Sequence, residues 1–180
     1  PMLACPVCRK RSATKPIEEY PRNYVLEQQI ECNSRIKQDA HEQKMKAKIL
    51  VSQHRKKELS QTHGKNSIQV LQCTRQLADI YNDMAEYDKA IQCYEEVISQ
   101  ATPSNLGYAV IAQVYCAVGN IYEQKGQYKK GLHYLNNALK IQLKEYQTTD
   151  HVDIAASYNN IAIIHCRQKR YNVALQWYTK

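Results

Sequence analysis

Apolar and small residues in the second half of the chain fall at helical spacing, and the pattern returns three times. The segments LADIYNDMAEYDKAIQCYEEV (77–97), VGNIYEQKGQYKKGLHYLNNA (118–138) and IAIIHCRQKRYNVALQWYTK (161–180) align without a gap. Each opens on an aliphatic residue followed by a small one: Leu77 and Ala78, Val118 and Gly119, Ile161 and Ala162. Twelve positions after that small residue comes another: Ala90, Gly131 or Ala174. A tyrosine precedes the second small residue by three (Tyr87, Tyr128, Tyr171), and Tyr94, Leu135 or Tyr178 follows it by four. The period is 41 residues, then 43.

Such a pattern predicts paired helices. Small residues on facing helices let two backbones approach, and the aromatic and aliphatic residues plug the space to the next pair. One pair cannot bury its apolar face alone, so pairs stack. The stretches AEY, KGQY and KRY read as the tight turns inside each pair. Upstream, residues 32–66 contain no Pro and one Gly, and helix formers dominate, which predicts a helix to about Ser60. Ile36, Ala40, Ala47 and Leu50 form its thin apolar stripe, and THGKN ends it. Further back, Pro21 and Asn23 mark a helix start, with Tyr24, Leu26 and Ile30 giving a short packed face.

Composition changes the picture in three places. Fourteen Tyr and no Phe predict rings at element edges whose hydroxyls need partners. The net charge of +8 is uneven: residues 35–66 carry nine Lys/Arg against three Asp/Glu, while the flanking regions are nearly balanced. That basic run, HRKKE included, has no aromatics for base stacking, so nucleic-acid binding is disfavoured and a solvated linker helix is expected. Seven scattered Cys without a secretory signal or a long apolar run suggest a reducing, cytoplasmic setting and no membrane span. Pro1 at the start, and no helix stop after ALQWYTK, suggest a fragment of a longer chain.

The repeated segments resemble the tetratricopeptide repeat, with helices and linking loop lengthened beyond the usual period of about 34 residues. The stretch TTDHVDIAASYNNIAIIH (148–165) is similar to the joint between the long repeats of kinesin light chains. His151, Asp153, Ala155, Tyr158, Asn159 and Asn160 match, and Val152 stands where a Pro is usual. The resemblance covers residues 67–180, about two and a half to three repeats, and implies an all-α solenoid whose first helices line a groove for a protein or peptide partner. Helical spacing then nominates Arg75, Asp79 and Asn82, then Cys116, Asn120 and Glu123, then Asn159 and Arg167 as groove residues. Asn side chains can bond an extended peptide's backbone without demanding a sequence. Asp79, Ala117 and Ala156 occupy the places of a carboxylate-clamping Lys/Asn set, which argues against capture of a C-terminal carboxylate. His165, where a Tyr is usual, reads as a hydrogen-bonded core histidine.

The first residues hold a different chemistry. ACPVCRK (4–10) places Cys5 and Cys8 at the spacing of a zinc knuckle, which supplies two of the four ligands a tetrahedral zinc needs. A redox pair would want a helix starting at the motif, and RKRSATK does not read as one. With Pro21, Asn23, Tyr24 and Leu26 following in order, residues 3–31 resemble the C-terminal half of a RING finger. The resemblance implies that Cys5 and Cys8 bind zinc together with ligands from before Pro1. Pro6 would touch a ubiquitin-conjugating enzyme, and Arg9 would bridge that enzyme and ubiquitin. Three regions are therefore expected: a truncated zinc-finger remnant (1–31), poorly ordered up to about residue 20; a basic helical linker (32–66); and the repeats (67–180). The leading expectation is a fragment of a RING-type ubiquitin ligase, itself inactive and with no covalent catalytic residue. The alternative is a non-enzymatic scaffold or cargo adaptor resembling kinesin light chain.

Overall fold

The computed structural model describes residues 22–65 and 67–180, with side chains from Leu26 onward. Among these residues the ordered elements are eight helices: α1 (Arg22–His63), α2 (Ile68–Asp83), α3 (Tyr87–Gln100), α4 (Pro103–Leu106), α5 (Tyr108–Gln124), α6 (Tyr128–Tyr146), α7 (Val152–Arg167) and α8 (Tyr171–Tyr178). The knuckle residues Cys5, Pro6, Cys8 and Arg9 lie outside the described residues. Contacts divide the chain into two compact units, Pro1–Lys48 and Ile49–Lys180.

In the first unit the described residues belong to α1. Their helix rests on an uninterrupted run of non-Gly, non-Pro residues and on exposed ion pairs one turn apart, Glu31 with Arg35 and Glu42 with Lys46. Glu stands N-terminal to its cation in both, the favourable order along a helix. The stripe Ile36, Ala40, Ala47 and Leu50 does not pack: all four are exposed, Leu50 at 69%.

The second unit contains the repeats. Helices pair as α2 with α3, α5 with α6 and α7 with α8, and α3 packs on α5 and α6 on α7. The repeated small residues lie at the centres of the pairs, with Ala78, Ala90, Ala162 and Ala174 at most 1% exposed. Gly119 and Gly131 occupy the same two places in the middle pair and are buried. Tyr94 and Leu135 plug the spaces between pairs, as the offsets predict. Their equivalent in the last pair, Tyr178, is 49% exposed.

The three turns inside the pairs are copies of one another. Ala85, Gly126 and Lys169 are left-handed, with φ of 57°, 69° and 61°. In each, that residue's N–H donates back three positions, to Asn82, Glu123 or Cys166, and the next N–H donates back five, to Tyr81, Tyr122 or His165, over 2.8–2.9 Å. This Schellman arrangement satisfies carbonyls that the helix end would otherwise orphan.

The joints between pairs differ. After α3 the chain makes the single turn α4, where Asn105 Oδ1 accepts from the Thr102 N–H at 2.7 Å and Asn105 Nδ2 donates to the Gln100 carbonyl. After the longer α6 it bends through left-handed Gln147 to His151, which caps α7 by accepting from the Asp153 N–H at 3.1 Å. The ring of Tyr146 stacks on that of His151 at 3.6 Å, and the Tyr146 hydroxyl donates to Asp153 at 2.6 Å.

Residues 49–63 of α1 pack against the first pair rather than standing free. Ile49 joins the apolar cluster of α2, α3 and α5. Gln53 Nε2 donates to the Tyr81 hydroxyl at 2.9 Å, Cys73 Sγ donates to the Ser52 carbonyl, and Lys56 Nζ reaches both Glu96 oxygens at 2.7 Å. The packed face thus runs through Ile49, Ser52, Gln53 and Lys56. Apart from Ile49 it is polar, which is why a search for apolar spacing settles on a different, exposed stripe.

Candidate functional site

The first helices of the three pairs, α2, α5 and α7, share one face of the repeat unit, and two side-chain bridges cross from each to the next. Arg75 Nη1 donates to Gln113 Oε1 at 3.3 Å, joining α2 to α5. Arg167 Nε donates to Glu123 Oε1 at 2.9 Å, joining α7 to α5. Around these bridges stand Asp79 and Asn159, both exposed, and Asn82 and Asn120, both half-buried. This is a mixed-charge, amide-rich surface, suited to the alternating donors and acceptors of an extended main chain.

Two nominated residues are less open than helical spacing alone suggests. Asp79 accepts a hydrogen bond from the Tyr94 hydroxyl of α3, so part of its carboxylate is committed within the pair. Burial first, then that carboxylate, holds the Tyr94 hydroxyl far above its ordinary pKa. Tyr134 donates likewise to Glu95, from α6 to α3, at 2.9 Å. These bonds are the partners that a Tyr-rich, partly buried composition requires.

Cys116 belongs to packing, not to the groove. Its Sγ lies 3.5 Å from Ser157 Oγ of α7, and Ser157 donates to Gln142 Oε1 of α6 at 2.6 Å. Ser157 is fully buried and Gln142 is 4% exposed, so the three form a polar seam between pairs. Burial pushes the Cys116 thiol up, with Ser157 opposing. His165 also departs from expectation: its Nδ1 is buried without a hydrogen-bond partner among the described residues. Burial, and the charge of Arg170, depress its pKa.

Sequence reasoning missed Gln113. It has no counterpart in the repeat signature, and only the reach of Arg75 across to α5 reveals its place. Among the described residues no group of three or more His, Cys, Asp or Glu side chains could hold a metal ion. No helix among them is long and apolar enough to cross a membrane.

The tetratricopeptide-repeat family matches twice, over residues 110–180 and 76–101. Over these residues the chain is therefore built of tetratricopeptide repeats, in an all-α helical-repeat array. It is 25% identical over 114 residues, 63% of this chain, to response regulator aspartate phosphatase I of Bacillus subtilis. It is 25% identical over 118 residues, 65% of this chain, to kinesin light chain-related protein 2 of Arabidopsis thaliana. The match spans 28% and 17% of the length of those two relatives. The fold is shared with a crystal structure of "kinesin light chain nearly identical TPR-like repeats" from Podosopora anserina. There the TM-score is 0.63 at 15% identity, covering 85% of this chain and 71% of that one.

Proposed function

We propose that this chain is a scaffold or adaptor whose repeats capture an extended segment of a protein partner along α2, α5 and α7. The observation that carries the reading is the pair of bridges, Arg75 to Gln113 and Glu123 to Arg167. They hold three first helices as one polar surface, with the side chains of Asn82, Asn120 and Asn159 beside them and making no hydrogen bond or ion pair among the described residues. Such amides can bond a peptide's main chain, leaving the neighbouring charges to select its side chains. The kinesin-light-chain likeness supports a binding role. The test is to select binders from a displayed library of unstructured peptides and measure their affinity for the chain and for an Asn82→Ala/Asn120→Ala/Asn159→Ala variant. The triple variant should bind about tenfold or more weakly with unchanged thermal stability. Equal affinity would remove the groove from the reading.

A second reading rests on residues 3–31 alone. The order of CPVCR and PRNYVL supports a RING-type element in which Cys5 and Cys8 hold zinc and Pro6 and Arg9 position a ubiquitin-conjugating enzyme. Zinc would act there as a structural ion that closes the loop. Because the pair supplies two of the four ligands, the test is metal analysis of the full-length protein against its Cys5→Ser/Cys8→Ser variant: equal zinc in both removes the reading. A reducing, cytoplasmic location is part of the proposal, in keeping with the free thiols of Cys73, Cys93, Cys116 and Cys166.

A further inference from the structure

Within the repeat unit, on the side of α2 that faces α1 and α3, residues 53–65 and the first pair enclose an open cleft of about 710 Å³. That is the size of pocket that takes a small ligand or several residues of a peptide. Its floor is apolar: Leu77 and the Tyr81 ring, 4% and 7% exposed, with half-buried Cys93 beside them. Its rim is cationic, since Lys56, Lys57, Lys65 and Lys89 line it against a single acid, Glu96. Lys56 is paired with Glu96, and Lys89 with Glu86. Lys57 and Lys65 are exposed and make no ion pair among the described residues. The basic run between the knuckle and the repeats, which the peptide groove leaves unused, therefore contributes half of the residues that line the cleft.

We propose that this cleft is a second binding site, for an acidic peptide segment that sets an apolar side chain on the Leu77–Tyr81 floor and carboxylates against the lysine rim. The ammonium groups come from α1, from the turn after it and from α3, and they border a space far larger than one inorganic anion, so a chain of charges fits better than a point charge. Three amides on the rim, Gln53, Gln61 and Gln92, offer both donors and acceptors to a peptide backbone. A nucleic acid would need exposed ring faces for its bases. The one aromatic in the cleft, Tyr81, is buried, with Lys89 Nζ 5.4 Å from its ring centre. Glu96 limits the site, because it occupies Lys56 and repels an incoming carboxylate. It makes the site selective for ligands carrying enough negative charge to compete.

The site shares no nominated residue with the groove on α2, α5 and α7, so the two readings can fail separately. The probe is a short fluorescein-labelled peptide of alternating Glu and Leu, followed by fluorescence anisotropy with the whole chain. Lys57→Glu/Lys65→Glu should weaken binding by about tenfold or more, with a shallower salt dependence. Glu96→Gln, which frees Lys56, should tighten it. The Asn82→Ala/Asn120→Ala/Asn159→Ala groove variant should leave it unchanged. Circular dichroism melts confirm that each variant folds. Affinity that survives the double charge reversal, or that follows the groove variant instead, overturns the proposal. So does an oligouridylate that binds more tightly than the peptide with the same lysine dependence, which would make the cleft a nucleic-acid site.

Discussion

A side-chain carbon built on Gly131 would stand 3.0 Å from the carbonyl oxygen of Gly119, and one on Gly119 would stand 3.2 Å from the carbonyl of Gly131. The two glycines mark the closest approach of α5 and α6. The same carbon on Gly131 would also lie 2.9 Å from Ile164 Cδ1, in the next pair. Gly131→Ala should therefore push apart both a pair and a joint between pairs. Overpacking costs about 1–3 kcal/mol, against a gain of about 1 kcal/mol in helix propensity. A lower urea midpoint at unchanged slope is expected. A raised midpoint would show that α5 and α6 are free to separate.

Val152 opens α7, one residue after the cap His151, and is 76% exposed. Its N–H has no partner among the described residues, and His151 has extended geometry (φ −135°, ψ 138°). A proline is accommodated at that first helical position, and the extended residue before it is the one proline prefers. Val152→Pro should stabilise the fold by about 0.4–1 kcal/mol, through the unfolded chain. Thermal melts of the two forms check it. A fall in midpoint would mean that the joint needs the freedom a proline removes.

Ser157 is the donor that satisfies Gln142 in the seam between α6 and α7. Removing the hydroxyl leaves a buried amide oxygen unpaired, a loss of about 1–3 kcal/mol. Denaturant titration of Ser157→Ala measures it. In the double variant Ser157→Ala/Gln142→Leu, both polar partners are gone, and much of the loss should be recovered. Failure to recover would locate the effect in shape rather than in hydrogen bonding.

His165 gives the fold a dependence on pH. Its folded pKa is depressed below the ordinary 6.5 by burial and then by Arg170. The unfolded chain accepts the proton first, so the histidine's stabilising share is complete above that value and is lost as pH falls through it. Tyr81 and Tyr122 occupy the equivalent places in the other pairs. Between about pH 7.5 and pH 5.5, His165→Tyr should lose less stability than the parent chain. Parallel losses in the two proteins would refute the assignment.

The helical pairs could be read from sequence because their signature is local and repeated. The small residues Ala78 and Ala90 recur with the same meaning and land in the core of every pair, and Tyr94 and Leu135 do so in the first two, whereas Tyr171 and Tyr178 of the last pair are exposed. The helix 22–63 could also be read, from composition, and its packed face could not. Beyond Ile49, that face consists of Ser52, Gln53 and Lys56, whose partners Cys73, Tyr81 and Glu96 lie 21–40 residues away. Apolar periodicity is silent about such long-range polar contacts. For the same reason Cys116 looks like a groove residue by spacing, yet the depth of the α5–α7 contact places it in a seam.

The joints between pairs carry a consequence for how this chain can change. The first joint spends residues on the short helix α4, and the second absorbs them in the longer α6. The pairs on either side nevertheless present the same small residues and the same left-handed turn. Spacing along the sequence is thus decoupled from spacing in space. Sequence added around Thr102–Gly107 adds loop-closure entropy that grows only slowly with length, about 0.6 kcal/mol per doubling. That joint is the natural place for an epitope, a reporter or a newly acquired motif to be grafted, while the pairs keep their register as a ruler keeps its marks.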